Sequence, residues 1–549
     1  MKHVIARKIN EAIKQLQSQH IWSEIQMLQV EVDYSQHREH GDYASSIAMK
    51  LAKVLKRNPL DICEELKNHI NMEGLSKIEV VAPGFINFFI NEEFLDGGIR
   101  YLLEENDNYG KNKTGLKEDG SQKKYMVEFL SANPTGPLHL GNGRGGFAGD
   151  VIVRVLRASG YDVTAEYIIN DYGSQTDTLA ESVLRRYLQK QGIKIDYPED
   201  LYQGEYIKEL ADELELKDVP IGSTDAMAQM RTEVKEWALK EMIDRIKNLV
   251  ENQLDIKYDV WKSEKSLYTD DNLARVTSFL EERNLIYTSE GAQFFRSSKY
   301  GDDKDRVIIR ANGEPTYFYS DILYLIEKFE DRKFDHWIWL LGADHHGYKP
   351  RMEAALEALN HKGKMDIIFV QLVRLIFNGK ELKMSKRKGA FVTLEELVGE
   401  VGLDVVRWFF LMHEPNTHMD FDLNLAREQS EKNPVYSVQY AHARICSILK
   451  KVDGSKNTQI KFTNIAEEEL AKILFKLPEI VEDVSQDYQV HKLPQYAMEV
   501  ARAFHKFYNT SRVIDEEEVN YSRLQLAQAT KIVLFNTLSL MGISAPESM

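Results

Sequence analysis

The feature that most restricts the fold lies between residues 125 and 171. An apolar run, YMVEFL (125–130), enters a loop with two prolines, SANPTGPLHL (131–140). A glycine-rich helical pattern, GNGRGGFAGDVIVRVL (141–156), follows, and then a second apolar run, YDVTAEYIIND (161–171). Two strands joined through a helix are parallel neighbours, because a parallel pair needs a crossover of a dozen or more residues. The chain is therefore an α/β protein with a parallel sheet, and such sheets bind ligands at the carboxyl ends of their strands. Gly141, Gly143 and Gly146 spell Gly-x-Gly-x-x-Gly, and Glu166 lies about 20 residues on, as in a dinucleotide fingerprint. That fingerprint, however, puts its first glycine in a tight turn directly after the strand. Here SANPTGPLHL intervenes. An NAD dehydrogenase stays open as an alternative, separable by whether NAD or ATP raises the melting temperature.

At 549 residues the chain is too long for one core. Its 70 basic and 86 acidic side chains leave a net charge of −16, which argues against nonspecific polyanion binding. Any nucleic-acid contact must be local, and GKELKMSKRKG (379–389) and LAKVLKRN (51–58) are the candidates. The two cysteines, Cys63 and Cys446, stand far apart and form no CxxC pair, so neither a disulfide framework nor a zinc site is expected, and a reducing, cytoplasmic setting fits. The opening MKHVIARKINEAIKQL reads as an amphipathic helix, and no run has the roughly 18 apolar residues of a membrane span.

The patterning divides the chain into three domains. Residues 1–115 read as a small α/β module, with helices at 2–18 and 44–57, a third opened by Asn58 and Pro59, and two strands in IEVVAPGFINFFI (78–90). Residues 116–405 form the nucleotide-binding core, with a helical insertion at about 175–290. Its sheet continues through HWIWLLGADHHG (336–347) and DIIFVQLVRLIFNGKELKMS (366–385), where Asn378-Gly379 predicts a hairpin. Thr393 and Glu396 form a capping box, and beyond Asp404 every remaining pattern is helical. Residues 406–549 are thus a helix bundle, with Val438, Ala441, Ile445 and Ile448 on one buried face.

Three elements carry chemistry. A helix starting near Asn142 turns unpaired N–H groups and its positive dipole end to the sheet mouth, where phosphate is stabilised, and His139 and Asn142 then reach one phosphate chain. The lysine-rich LKMSKRKG (382–389) offers cations after a hairpin, and LGADHHG (341–347) delivers Gly342, Asp344, His345 and His346 to the strand ends. Each has a plain reading by itself: a capping histidine, a solvated basic run and a strand end. The adjacent histidines do not make a metal site, since strand neighbours point to opposite faces and no third ligand is spaced nearby.

Together and in this order, the elements resemble the class I aminoacyl-tRNA synthetases. His139-Leu140-Gly141-Asn142 stands where that class has HIGH, and Lys383-Met384-Ser385-Lys386-Arg387 where it has KMSKS. Asn142 replaces a histidine and loses an ionisable ring; Arg387 replaces a serine. EFLSANPTGPLHLGNGRGG, YDVWKSE, PTYFYSDI, GADHHGY, NPVYSVQYAHARICSI, MGISAPESM and HGDYASSIAMKLAK narrow the resemblance to the arginyl-tRNA synthetases over nearly the whole chain. The resemblance implies a Rossmann-like core with helical insertion, an N-terminal domain touching the tRNA and an all-α anticodon-binding bundle. It implies formation of arginyl-adenylate from ATP, brought in with Mg²⁺, and transfer of arginine to its cognate tRNA by a monomer without zinc. Lys383, Lys386, His139 and Asn142 would be catalytic. Gly141, Gly342, Asp344, His346 and Met384 would join them around ATP. Arginine would be held by Asp321 with Tyr317, by Glu264, by Glu128 and Asn133 at its α-amino and carboxylate end, and by His345. Another HIGH-class adenylate-forming synthetase and a noncatalytic tRNA-binding paralogue are the alternatives.

Overall fold

The computed structural model describes residues 1–25, 28–35, 37–216, 224–382, 393–452, 458–515 and 518–549. Lys383, Met384, Ser385, Lys386 and Arg387 lie outside the described residues. At the centre is a five-stranded parallel sheet of β1 (Lys124–Glu128), β2 (Asp162–Ile169), β3 (Val260–Ser263), β4 (His336–Gly342) and β5 (Met365–Val370), in the order β5-β4-β1-β2-β3. The chain runs outward from β1 to β3, then crosses to the other side of β1 for β4 and β5. That reversal opens a crevice at the carboxyl ends of β1 and β4, because the connections there leave in opposite directions. Burial on both faces explains the continuous apolar runs: Met126, Val127, Trp337 and Ile338 are fully buried.

Helix α1 (Leu140–Ala158) crosses from β1 to β2 and buries Phe147, Val151 and Val155 against the sheet. Its glycines permit close approach: a Cβ on Gly149 would stand 2.2 Å from the Phe129 ring. Helix α2 (Tyr317–Ile326) carries Tyr317 and Asp321 one turn apart, in line with the sequence spacing.

Residues 175–290 are not uniformly helical. Helices at Ser174–Lys190, Glu205–Glu213 and Thr224–Asn248 follow the expected pattern. Within the same stretch, β3 joins the central sheet as its edge and Ile286–Ser289 starts a small antiparallel sheet with Ala292–Phe295 and Arg306–Ile309. The four residues of β3 are too few to show a period of their own beside long charged helices. The stretch 366–385 also divides: β5 ends at Val370, and Val373–Phe377 pairs in parallel with Met419–Asp422 in a separate sheet. That second strand lies in the region expected to be wholly helical. Its alternation was legible, since Met419 and Phe421 are buried while Asp420 and Asp422 are exposed. In the first domain, Tyr43–Ser45 is a strand and the helix expected over 44–57 occupies Ile47–Leu55.

Other local readings hold. Asn58 caps Pro59–His69 by accepting from the Leu60 N–H at 3.0 Å. Asn378 and Gly379 take φ of 52° and 71° in the hairpin between Val373–Phe377 and Lys380–Glu381. Thr393 Oγ1 accepts from Glu396 N–H at 3.0 Å while the Glu396 carboxylate accepts from Thr393 N–H at 2.8 Å. Among the described residues, five helices from Pro434 to Leu540 form the bundle, with Val438, Ala441, Ile445 and Ile448 inside it.

Candidate functional site

A cleft of about 1000 Å³ occupies the crevice. The loop after β1 forms one wall with Ser131, Asn133 and Thr135; the start of α1 forms another with His139, Gly141, Asn142 and Gly145. Gly342 at the end of β4, Asp344 and His345 after it, and Gln371 and Leu372 after β5 close the far side.

Helix α1 begins at Leu140 with His139 as its cap, two positions before Asn142. Asn142 Oδ1 accepts the backbone N–H of His139 at 3.0 Å, so the residue that departs from the HIGH pattern closes the helix end on itself. The Gly-x-Gly-x-x-Gly run therefore sits inside the first helical turns, where it makes no phosphate-wrapping turn between strand and helix. Gly141 and Gly145 open on the cleft, whereas Cβ atoms on Gly143 and Gly146 would strike Leu394 and Leu130, each at 2.7 Å. This geometry leaves the dinucleotide reading without a site.

Thr393, the first described residue after the basic loop, bridges to His139, and Leu394 N–H donates to Leu138 O at 2.9 Å. Thr393 and Leu394 are thereby joined to the start of the HLGN segment, although about 250 residues of chain separate them.

A cluster of carboxylates gathers at the carboxyl ends of β1 and β3. Asp321 on α2 has its Oδ2 buried without a hydrogen-bond partner. Burial, against the pull of the Arg351 guanidinium and with the push of Glu264 and Glu128, raises its carboxyl to about 7. Glu264, directly after β3, is raised by burial, eased by a 3.3 Å hydrogen bond from the Tyr268 hydroxyl. Tyr268 also bonds Ser320 of α2 and stacks on the exposed Tyr172 at 4.6 Å. Tyr317 projects from the start of α2 and is 68% exposed. Glu128 is buried, and Lys328 Nζ, itself fully buried, donates to its Oε2 at 3.2 Å. The placement suits a cation: three carboxylates face one region, and one of their oxygens has no partner.

The remaining candidates line or flank the cleft. Asn133 Nδ2 donates to Gln175 at 2.7 Å and its Oδ1 accepts from Asn170 at 2.8 Å, which fixes the amide plane over the mouth. His345 Nε2 stands 3.7 Å from Asp344 Oδ1, and a Cβ on Gly342 would meet that oxygen at 2.7 Å. His346 stacks on Phe369 of β5 with ring centroids 3.8 Å apart. No group of three or more His, Cys, Asp or Glu side chains among the described residues is arranged to hold a metal ion. Sequence reasoning missed Lys328, Arg351 and Tyr268. Lys328 falls seven residues after Asp321, a helical signal that could have been found; its pairing with Glu128, 200 residues away, could not.

Three family models cover the chain: the arginyl-tRNA synthetase N-terminal domain over residues 3–90, the class I (R) tRNA synthetase catalytic domain over 106–441, and the DALR anticodon-binding domain over 438–549. The arginine–tRNA ligase of Bacillus subtilis is 42% identical over 564 residues, spanning 100% of this chain and 99% of that one. That of Syntrophotalea carbinolica is 40% identical over 574 residues, with 100% of each chain covered. The arginyl-tRNA synthetase of Thermus thermophilus superposes with a TM-score of 0.79 at 21% identity over 100% of both chains, a likeness of fold.

Proposed function

The chain belongs to the arginyl-tRNA synthetases, and from that premise we propose that ATP and arginine meet in the switch-point cleft, with arginine's side chain entering the carboxylate cluster beside it. The enzyme is an ATP-dependent aminoacyl-tRNA ligase that joins arginine to tRNA. The observation that carries the placement is the buried, unpartnered Oδ2 of Asp321 among like charges. A guanidinium presents five N–H donors in a planar fork that a carboxylate matches, and its charge offsets the burial that raises the Asp321 and Glu264 carboxyls.

In this reading the arginine carboxylate attacks the α-phosphorus of ATP, pyrophosphate leaves, and a hydroxyl of the terminal tRNA ribose then attacks the adenylate carbonyl and releases AMP. No protein nucleophile is required, so catalysis rests on positioning and on charge stabilisation as the transition state forms. His139 and the N-terminal N–H groups of α1 meet the phosphates on one side. Lys383 and Lys386 supply the cations that offset charge gathering on the pyrophosphate, and Gly342, Asp344 and His346, with Met384, serve the nucleotide. Asn133 orients the amino acid's polar end, His345 closes that side, and Glu128, paired with Lys328, meets the ammonium. Asn142 serves chiefly by keeping the helix start in place. Mg²⁺ arrives with the nucleotide, since it takes phosphate oxygens and water more readily than a protein cage. Residues 1–115 and 406–549 grip the tRNA, and the enzyme works as a cytoplasmic monomer. Charging of total tRNA with each of the twenty amino acids tests the whole: arginine alone should be esterified, and charging with another amino acid, or none, overturns it.

A further inference from the structure

Behind the wall of the cleft lies a buried cation to which the reaction above gives no task. Arg144, in the second turn of α1, is 1% exposed, and no carboxylate pairs with it among the described residues. Its guanidinium ends on main-chain carbonyls: Nη1 donates to Gln371 O at 3.2 Å and to Thr417 O at 2.6 Å, and Nη2 to Glu414 O at 2.7 Å. Burial draws its pKa down to about 10, so it remains a cation at neutral pH.

Two separate segments meet on this one side chain. Gln371 and Leu372 link β5 to Val373–Phe377 and line the cleft. Glu414 to Thr417 connect the helix Leu403–Leu411 to Met419–Asp422 on the way into the bundle. They also bond each other, with Gln371 N–H on Pro415 O at 2.9 Å and Met419 N–H on Leu372 O at 3.4 Å. Leu372 is 72% exposed, the most exposed large apolar side chain among the described residues, and it stands in a cleft whose floor includes Leu340, Leu341 and Val370. An exposed leucine on such a wall is a surface for a flat apolar ring. A methionine would fill the space of Arg144 without the desolvation penalty of a buried charge. What the guanidinium adds is geometry, because one rigid fork holds three carbonyls from two segments against α1.

We infer that Arg144 is a positioning residue for the nucleotide: it holds the Gln371–Leu372 shelf against α1, so that Leu372 packs on the purine ring of ATP. The inference rests on the reading of this cleft as the ATP site. The test is arginine-dependent exchange of pyrophosphate into ATP by the full chain with tRNA supplied, for the parent, Arg144→Met, Arg144→Lys and Leu372→Ala, together with each unfolding midpoint. Arg144→Met should raise KM for ATP about tenfold and leave KM for arginine within about twofold, the signature of lost uniform binding to one substrate only. Arg144→Lys, which reaches fewer carbonyls, should fall between. Leu372→Ala should reproduce the ATP effect at an unchanged midpoint, because its side chain is exposed. If Arg144→Met does not fold, Arg144→Lys and Leu372→Ala decide. An unaltered KM for ATP in Leu372→Ala, or equal rises in both KM values in the Arg144 variants, overturns the inference while the cleft assignment stands. A parent that shows no exchange overturns the cleft assignment and the inference with it.

Discussion

With arginine held by Asp321 as proposed, a single residue would tie recognition to pH. Its carboxyl, ordinarily near 3.8, is held at about 7 chiefly by burial. Arginine needs the ionised form, so below pH 7 a proton must leave as the substrate binds. KM for arginine should therefore rise by up to about tenfold per unit as pH falls below 7 and level off above it. Asp321→Asn should abolish that dependence and weaken arginine use far more than ATP use, because the amide N–H₂ opposes the guanidinium donors. A variant whose arginine KM matches the parent at pH 6 and pH 8 would reduce Asp321 to a structural role. For the ligand-free fold the sign is opposite. The raised carboxyl favours the folded state fully below about 3.8 and loses that contribution as pH rises through 7. Lys386, named from its place in KMSKR, should act on rate instead. Lys386→Ala should lower turnover by several orders of magnitude more than it weakens arginine binding, as expected for a contact made mainly in the transition state. Turnover equal to the parent's in the folded variant would refute that role.

At the scale of elements, α1 does two jobs on successive turns, and two of its glycines mark them. Gly149 lets the helix lie on Phe129, where a Cβ would stand 2.2 Å from the ring; Gly145 faces the cleft, with Val370 at 3.8 Å as its nearest neighbour. Gly149→Ala should therefore cost about 1–3 kcal/mol of stability through overpacking. Gly145→Ala should be neutral or stabilising by up to about 1 kcal/mol, since alanine favours helix and space is available. Denaturant unfolding of the two variants distinguishes the two turns; equal losses would mean that Gly145 is also packed. Helix termini show the same economy of local signals. Asn58, Thr393 and Glu396 were recognisable from sequence as caps because a cap is made by residues within one turn of each other.

In the whole molecule, the outer domains hold each other and the core. Asn536 Nδ2 in the last helix donates to Asn106 O and Tyr109 O, both at 2.9 Å, and Lys472 pairs with Asp42 at 2.7 Å across the N-terminal module and the bundle. Fully buried Arg407 joins Asp150 of α1 at 2.7 Å to Met541 O at the bundle's end at 3.1 Å. The helix that carries His139 at its tip is thus braced against the domain that carries the anticodon-binding fold. A tRNA held by both outer domains would favour one arrangement of this brace. We expect arginine-dependent pyrophosphate exchange to be slow or absent until tRNA is supplied. A shift from rare to dominant needs about 5 kcal/mol of differential affinity, within reach of a polyanion contacting several domains. Exchange should be measured without RNA and then with cognate tRNA whose terminal ribose is oxidised; strong exchange in the first assay, unchanged in the second, would show a preformed site.

By itself the sequence determined what depends on neighbours in the chain. It set the parallel crossover at 125–171, the turn at Asn378-Gly379, the helix caps, the buried stripe of the bundle and the identity of the signature segments. Short-range geometry follows from spacing, and spacing is written in the chain. It did not determine β3, a strand of only four residues recognisable by its partners rather than by its own period, and the alternation of Met419–Asp422, though written in the chain, is too short to stand out among the helices around it. Nor did it foresee that Glu128 would meet Lys328, that Arg144 would collect carbonyls from Gln371, Glu414 and Thr417, or that Thr393 would be bridged to His139. Those contacts join residues 200 or more positions apart, and the charge state of a buried group depends on which groups surround it in space. The raised carboxyl of Asp321 was decided in the same way: its residue type and position were legible, but its unpartnered oxygen exists only because the packed fold removes water and leaves a place for a cation.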